Sequence, residues 1–234
     1  MSAFETVAYA DAGTALTGRL ARPAGDPRAA VVVYPSVHGQ TGHSDERLRR
    51  LAAAGYLAMS ADYYGDLPDE PGAVAAAGQA LRSDTERLRA RILAALAALR
   101  ARPEAAGLPL GAIGFCQGGL SVLELARMNA GLAAVASFHG LLHTQRPATA
   151  AITARILVCH GDADPMVPRE AVLAFWQEMD AAGADWHFHS YAGVLHGFTD
   201  PASDTRGMAA VGYDASADRQ SWAALESFFA EVFG

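Results

Sequence analysis

The chain has 234 residues, 51% of them apolar, and its 18 basic and 25 acidic residues give a formal net charge of −7. This length is within the range of one α/β domain, so we expect a single domain over residues 1–234. The acidic balance, without a basic stripe interleaved with aromatics, excludes a nucleic-acid partner, and no apolar run is long enough to span a membrane. An amino terminus without signal-peptide features favours the cytoplasm.

The rest of the chain alternates short β-branched runs with helical patterns. Strand-like runs fall, in chain order, at residues 5–9, 15–21, 29–35, 56–60, 110–115, 133–138, 155–160 and 186–191. Helical patterns fall at residues 44–51, 88–99, 117–128, 169–182 and 215–233. An Asp-Ala-Gly turn joins the first two runs into an antiparallel hairpin. The alternation predicts a mostly parallel sheet in a three-layer α/β fold, with helices on both faces and the hairpin at one edge.

Two local patterns carry further structural predictions. Residues 65–72 hold two prolines and two glycines, which predicts a loop. Ser83 and Glu86 form a capping-box pattern before the helix that runs to residue 99. On that helix, three arginines fall outside the apolar stripe and we expect them on a solvated face: Arg87, Arg89 and Arg91.

A cysteine framed by glycines lies between a predicted strand and a predicted helix. Residues 114–119, Gly-Phe-Cys-Gln-Gly-Gly, match the nucleophile-elbow pattern, with Cys116 where serine is usual. The alternative is a small buried side chain that only fills the core. A helix amino terminus stabilises a thiolate, and the N–H of Gln117 faces the place where an acyl oxygen becomes negative. With Cys159 as the second cysteine, no disulfide framework is expected.

The partners of such a nucleophile are an acid and then a histidine, in that order along the chain. The turn-rich segment after the strand at 155–160 offers two acids. We prefer Asp164, because Asp162 directly follows the strand and is placed to bond local backbone N–H groups. His196, in the loop after the last strand, is the predicted base. Turn capping also explains His160, Asp162 and Asp164 better than a metal site does.

The remaining histidines are interpreted by their position on the predicted elements. His38 and His139 each follow a strand at its carboxyl end, where open α/β sheets place ligands, so each is a candidate pocket residue, with a structural role as an equal alternative. No role is predicted for the four that lie in a solvent-facing strand, at a helix start or in a loop: His187, His189, His43 and His143.

With Cys116, Asp164 and His196 in this order, each after a strand, the chain resembles the dienelactone hydrolase family of α/β hydrolases over nearly its whole length. The motifs that carry the resemblance are Gly-Phe-Cys-Gln-Gly-Gly, His-Gly-Asp-Ala-Asp-Pro-Met-Val-Pro, His-Gly-Phe, and, earlier, Leu-Ala-Ala-Ala-Gly-Tyr-Leu-Ala with Asp-Tyr-Tyr-Gly. The resemblance implies an α/β-hydrolase fold and a hydrolase of small esters or lactones that needs no cofactor or metal. It also implies a second oxyanion donor, the N–H of Val37.

Two positions depart from the pattern of that family. Ser36 stands where the family usually carries a glutamate that helps to activate the cysteine. No arginine follows closely after His196, where the dienelactone enzymes use one to hold the substrate carboxylate; Asp200 is found there instead. Without the glutamate, we expect Cys116 to depend on His196 and to form a thiolate–imidazolium pair near neutral pH.

The sequence therefore predicts a complete site. Its catalytic residues are Cys116, Asp164 and His196, its oxyanion donors are Gln117 and Val37, and its substrate-binding residues are Ser36, His38, Tyr64, His139 and Phe198. The expected partner is a small ester or lactone, with no membrane and no nucleic acid, for a monomer or homodimer. Two alternatives stay open: a thioesterase or other acyl hydrolase of the same fold, and a binding protein that keeps an inert elbow.

Overall fold

The computed structural model describes residues 4–70 and 72–234, and in these a single eight-stranded sheet organises the chain. Its strands are β1 (Glu5–Asp11), β2 (Thr14–Ala21), β3 (Ala30–Tyr34), β4 (Leu57–Ser60), β5 (Leu110–Phe115), β6 (Ala134–Phe138), β7 (Arg155–Gly161) and β8 (Trp186–Tyr191). They are ordered β1-β2-β4-β3-β5-β6-β7-β8. β1 and β2 form the antiparallel hairpin, β2 runs antiparallel to β4, and the other neighbours are parallel.

Helices cover both faces of this sheet. They are α1 (Gly42–Ala53), α2 (Ala73–Ser83), α3 (Thr85–Arg100), α4 (Gln117–Arg127), α5 (Arg169–Ala181) and α6 (Ala215–Phe233), with short 3₁₀ turns at Pro103–Ala105 and Pro201–Thr205. Alternate residues of β3 enter different cores: Val32 belongs to the core that also contains residues of α3, α4 and α5, whereas Val31 and Val33 belong to the core that contains residues of α1 and α6. The predicted three-layer α/β-hydrolase fold is confirmed. Among the described residues, no helix has the length and apolar character needed to cross a membrane.

The segment around residues 65–91 differs in part from the sequence prediction. The described residues of the predicted loop at 65–72 are free of helix and strand; Pro71, like residues 1–3 of the predicted domain, lies outside the described part. Helix α2 was not predicted; its sequence is rich in alanine, and only Gly78 and Leu81 of it are buried. The predicted capping box is wrong: Ser83 ends α2, and Asp84 caps α3 by accepting the N–H of Arg87 at 3.0 Å.

The prediction of three solvated arginines on α3 is also wrong in part. Arg87 is exposed, but Arg91 is buried and its Nε donates to the carboxylate of Asp11 at 2.8 Å. Arg89, which is half-buried, pairs in the same way with Glu124 of α4 at 2.8 Å. Buried arginines are stable only when such partners are present, and these partners are distant along the chain. The two salt bridges tie α3 to the hairpin and to the helix that follows the nucleophile elbow.

The parallel strands β3, β5, β6, β7 and β8 all end at one edge of the sheet. The loops after them carry most of the predicted site residues, from Ser36 after β3 to His196 after β8. Because the sheet register is fixed by five parallel pairings, these strand ends hold their loops at constant separations. The fold thus brings together residues that lie 160 positions apart in the sequence, Ser36 and His196.

Candidate active site

Cys116 occupies a strained turn between β5 and α4. Its backbone has φ +55° and ψ −111°, a region that side chains other than glycine rarely adopt. Glycines make the turn possible: a Cβ at Gly118 would overlap the carbonyl of Tyr34, and one at Gly114 would overlap the carbonyl of Gly118. The N–H of Cys116 is shared between the carbonyl of Phe138 at 3.0 Å and Nδ1 of His139 at 3.1 Å. This geometry is that of a nucleophile elbow.

His196 is held by the carboxylate of Asp164. The distance from Nδ1 of His196 to Oδ2 of Asp164 is 2.6 Å, and both side chains are buried. The second carboxylate oxygen of Asp164 accepts the N–H of Met166 at 2.8 Å, which fixes the acid. Asp162 has a different role from the one predicted, because it pairs with Arg169 at 2.6 Å instead of capping its own turn. The two acids thus have separate partners, and Asp164 is the one beside the histidine.

The thiol of Cys116 and the imidazole of His196 stabilise each other's charged forms. Burial opposes thiolate formation, but His196 and the backbone N–H groups of Val37 and Gln117 outweigh it, so the pKa of Cys116 is lowered. Burial likewise opposes the imidazolium, but Asp164 and Cys116 outweigh it and raise the pKa of His196 to about 10. Both shifts favour a thiolate–imidazolium pair.

The two predicted oxyanion donors belong to different elements, and the backbone N–H groups of both lower the pKa of Cys116. Val37 belongs to the loop after β3, and Gln117 is the first residue of α4. Tyr64 connects the two residues: its hydroxyl donates to the carbonyl of Val37 at 2.9 Å and accepts from Nε2 of Gln117 at 3.3 Å. Arg82 of α2 donates to Oε1 of Gln117 at 2.8 Å. Tyr64 therefore connects the two residues predicted as oxyanion donors, and it is not among the residues that line the cavity described below, where it was predicted to bind substrate.

A cavity of about 520 Å³ opens beside Cys116 and His196. Three of the five predicted substrate-binding residues line it: Ser36, His38 and His139. Phe198 does not, because it is fully buried and packs edge-on against His139 at a ring-centroid distance of 5.2 Å. The hydroxyl of Ser36 accepts the N–H of His38 at 3.3 Å. The loop after β3 thus places a neutral hydroxyl among the residues that line the cavity.

Several residues that line the cavity were not predicted from the sequence. They are His43 of α1, Arg82 of α2, His143, and Asp200 and Arg206 from the segment after β8. The expectation that Asp200 replaces a substrate-facing arginine is therefore incomplete: Arg206 reaches the cavity from further along the chain and forms a salt bridge with Asp200. No role was predicted for His43, at a helix start, or for His143, in a loop, and no local pattern in the sequence indicates their contact with the cavity.

Comparisons with known proteins identify relatives of this chain. The family model of the dienelactone hydrolase family matches residues 16–233. An uncharacterized protein of Caenorhabditis elegans is 43% identical over 150 residues, covering 63% of this chain and 95% of the relative. A probable 2-oxo-3-(5-oxofuran-2-ylidene)propanoate lactonase of a Bradyrhizobium species is 30% identical over 220 residues, covering 86% and 88%.

A solved structure extends the similarity to the whole fold. A dienelactone hydrolase-like promiscuous phosphotriesterase from metagenomic libraries superposes with a TM-score of 0.91 at 37% identity, and the match covers 100% of both chains. The chain therefore belongs to the dienelactone hydrolase family of the α/β-hydrolase superfamily, which confirms both the family and the hydrolase class predicted from its sequence.

Proposed function

We propose that the protein hydrolyses small esters or lactones without a cofactor, through a thioester on Cys116. The observation that carries the proposal is the grouping at one cavity of a thiol on a strained elbow, an imidazole fixed by Asp164 at 2.6 Å, and two backbone N–H groups directed at the thiol. A nucleophile, an oriented base and oxyanion donors are the three requirements of acyl transfer.

The first half-reaction forms the thioester. The thiolate of Cys116 attacks the carbonyl carbon, and the electron pair of the C=O bond moves onto oxygen, where the N–H groups of Val37 and Gln117 hold it. Such donors are worth roughly 3 to 4 kcal/mol to the transition state in other enzymes. The tetrahedral intermediate collapses by breaking the bond to the leaving oxygen, which takes the proton from Nε2 of His196. The alcohol leaves, or stays attached if the substrate is a lactone.

The second half-reaction releases the acid. His196, now neutral, accepts a proton from water as the water attacks the thioester carbonyl. The C–S bond breaks, the carboxylic acid leaves, and the thiolate returns to its place beside the imidazolium. Asp164 holds the same ring nitrogen in both halves, so one orientation of His196 serves as acid in the first and as base in the second.

The charges around the cavity do not require a substrate carboxylate. Arg206 forms a salt bridge with Asp200, which balances its charge and weakens its attraction for a substrate carboxylate. Arg82 lines the same cavity, where Nη1 donates to the neutral amide oxygen of Gln117, so its direction is restrained while its charge is not balanced. The Bradyrhizobium relative is named for a lactone that bears a carboxylate. For this chain we propose that neutral esters and lactones are cleaved at least as well as carboxylated ones.

A second candidate activity is the hydrolysis of phosphotriesters. It is supported by the solved relative of that description, which matches the chain over its full length. Here the thiolate attacks phosphorus and expels the leaving alcohol, and water then cleaves the resulting P–S bond. A neutral phosphotriester suits a cavity in which an acid balances an arginine. A triester with a nitrophenol leaving group tests this activity in the same assay as an ester.

The test compares Cys116→Ala with the parent protein on p-nitrophenyl acetate and a panel of lactones. Cys116→Ala is expected to lose at least about a thousandfold in kcat. The matched control is Cys159→Ala, since Cys159 is buried in β7 and its pKa is raised to about 12 by burial. This control should keep its activity within about threefold, as a buried structural thiol is inert.

Three outcomes separate the alternatives. Equal rates for the parent and Cys116→Ala would remove Cys116 from the mechanism. Alkylation of Cys116 by iodoacetamide, without turnover of any ester, lactone or thioester, would indicate the binding protein on a hydrolase scaffold. Preference for acyl thioesters over matched oxygen esters by more than their difference in intrinsic reactivity would indicate a thioesterase.

A further inference from the structure

A chain of hydrogen bonds runs from the backbone of Cys116 to the ring of His43. The N–H of Cys116 can only donate, so Nδ1 of His139 accepts at 3.1 Å and the ring proton of His139 lies on Nε2. That Nε2–H donates to Oγ1 of Thr199 at 2.9 Å. Oγ1 of Thr199 also lies 3.2 Å from Nε2 of His43, and its hydroxyl hydrogen is free to be donated to that nitrogen. In that direction of the chain, Nε2 of His43 is an acceptor.

Arg47 imposes the same direction on His43 from the other side. Its Nε–H donates to Nε2 of His43 at 3.2 Å, and a guanidinium cannot accept. The Arg47 side chain is buried and cannot turn away, because Nη2 is held by Asp218 and by the carbonyl of Thr199, each at 2.7 Å. Burial and the charge of Arg47 lower the pKa of His43 to about 4, so the ring is neutral. Its proton must therefore lie on Nδ1.

The Nδ1–H of His43 is available to a ligand. Among the described residues it has no hydrogen-bond partner, and it is not one of the fully enclosed unpartnered atoms. His43 lines the same cavity as Cys116 and His196. Its ring meets Phe115, the neighbour of Cys116, edge-on at a centroid distance of 4.7 Å, which fixes the ring plane. The cavity thus contains a preoriented, uncharged N–H donor separate from the oxyanion donors.

We propose that His43 binds the substrate, by donating from Nδ1 to a second acceptor oxygen in the acyl part, other than the scissile carbonyl. This inference rests on the proposed function, because it takes the cavity as the substrate site. Arg47 and Thr199 are positioning residues that act through His43. The substrate class is narrowed accordingly to esters and lactones whose acyl group carries an ether, hydroxyl, oxo or carboxylate oxygen.

A neutral N–H donor recognises such an oxygen in a different way from a charged arginine. It recognises the lone pair without requiring a charge, so neutral and anionic oxygens both qualify. An acyl group with only hydrocarbon leaves the Nδ1–H without a partner after water is expelled, which costs binding free energy. His43 therefore discriminates against simple alkyl esters instead of selecting for net charge.

The first experiment compares isosteric nitrophenyl esters. p-Nitrophenyl methoxyacetate and butanoate differ by oxygen in place of a methylene, and the 3-methoxypropanoate and pentanoate pair moves the oxygen one carbon further. In His43→Phe the packing on Phe115 is kept and the donor is lost. We expect the oxygen-to-methylene ratio of kcat/KM to fall about three- to tenfold for at least one pair, the size of one hydrogen bond. Comparing ratios between proteins cancels the esters' different intrinsic reactivity.

A conservative variant keeps this test independent of folding defects. In His43→Gln, the side-chain carbonyl accepts from Arg47 and Thr199 while the amide N–H faces the cavity, so the ratio should return to within about twofold of the parent. If the oxygen-to-methylene ratio is unchanged for both pairs in an active His43→Phe enzyme, the proposed role of His43 is wrong, but the proposed hydrolase function is not affected. Absence of turnover of all four esters by the parent overturns the proposed function, and the inference with it.

The second experiment observes the tautomer directly and needs no turnover. In a ¹⁵N-histidine-labelled parent at pH 7, His43, assigned by its absence in His43→Gln, should show a protonated Nδ1 and an unprotonated, hydrogen-bonded Nε2. Replacement of Arg47 by Met removes one of the two donors and should shift the Nε2 resonance. A protonated Nε2, or an imidazolium, at His43 in the parent overturns the inference.

Discussion

Nδ1 of His139 accepts the backbone N–H of Cys116 across 3.1 Å, and both residues have positive φ, +40° and +55°. Two strained residues at the ends of neighbouring strands, β5 and β6, are thus joined by one hydrogen bond. His139 is buried and neutral, since burial and neighbouring positive charge keep its pKa well below the ordinary value. Its ring lines the cavity and also restrains the nucleophile elbow, so the pocket and structural roles considered for it from the sequence are combined.

Two substitutions of His139, which both remove its ring, should show how much its hydrogen bond with Cys116 contributes to the free energy of unfolding. His139→Asn loses the ring and its bond to Thr199, but it provides a carbonyl oxygen near the position of Nδ1 and tolerates positive φ. His139→Leu leaves the N–H of Cys116 with only the shared Phe138 carbonyl and adds a strained side chain, and should cost about 1 to 3 kcal/mol more than the asparagine variant. Urea unfolding measures both. Equal stabilities would show that the bond does not support the elbow.

The ionisation of Cys116 provides a pH prediction. Because its pKa is lowered by His196 and by backbone N–H groups against burial, the thiolate should form below the midpoint of about 8.5 for a free thiol. The ultraviolet absorbance of the thiolate, taken as the difference between the parent and Cys116→Ser, reports this midpoint. His196→Gln should move it upward. A midpoint of 8.5 or higher in the parent would contradict the thiolate–imidazolium pair.

The same pair makes the stability of the protein depend on pH in a defined direction. The lowered pKa of Cys116 contributes stability that is full above the ordinary thiol value of about 8.5 and is lost as pH falls through the lowered pKa. The raised pKa of His196 contributes stability that is full below the ordinary imidazole value of 6.5 and is lost as pH rises through about 10. The unfolding free energy of the parent, minus that of Cys116→Ser, should therefore fall as pH rises from about 8.5 to about 10, because the unfolded thiol is already ionised there while His196 still holds its proton. A difference that rises over this range would contradict the pairing.

Asp200 is predicted to set the response to substrate charge. In Asp200→Asn the carboxylate that balances Arg206 is lost, while the amide oxygen can still cap the 3₁₀ turn by accepting from Ala202. We expect kcat/KM for p-nitrophenyl hemisuccinate to rise about three- to tenfold relative to the acetate, and less at high salt. Adding Arg206→Gln should cancel the gain. A gain that persists in the double variant would have to come from another charge.

Gly118 tests the close approach at the elbow. A Cβ there would meet the carbonyl of Tyr34 in β3, which is backbone and cannot give way, so Gly118→Ala should cost at least about 3 kcal/mol or prevent folding. Gly25→Ala is the control, because a Cβ at Gly25 meets no atom within 4 Å and its φ is not positive; we expect a change within about 0.5 kcal/mol. Thermal unfolding compares the two. Equal melting temperatures would contradict the tight packing of the elbow.

Sequence patterns predicted those parts of the protein that local chemistry determines. The order of strands and helices follows from apolar periodicity, and Cys116 from a glycine-framed turn. Asp164 was preferred over Asp162 for a reason that differs from the one observed: Asp162 forms a salt bridge with Arg169 instead of capping its turn. The preference still selected the acid beside His196, because the spacing after β7 controls which carboxylate turns inward.

Residues whose surroundings depend on distant segments were not predictable in this way. Arg91 has the spacing of a solvated helix face, yet it is buried because Asp11 of the hairpin, 80 residues away, neutralises it. Phe198 lies within the histidine motif but turns into the core against His139. Arg206 reaches the cavity only because a 3₁₀ turn reverses the chain after Asp200. In each case, the position of the side chain depends on contacts with distant segments, which the local sequence pattern does not determine.

The proposed reacting groups and other residues that line the cavity belong to different parts of the fold. Cys116 and His196 are held by strand ends and a glycine-built elbow, whereas Arg82 lies on α2 and the exposed Met166 and Met208 lie on loops. Methionines adapt to many shapes, and loops accept substitutions at low cost. We therefore expect exchanges at Met166 and Met208 to leave the sheet register intact, so that natural or laboratory evolution can reshape the cavity wall in small viable steps.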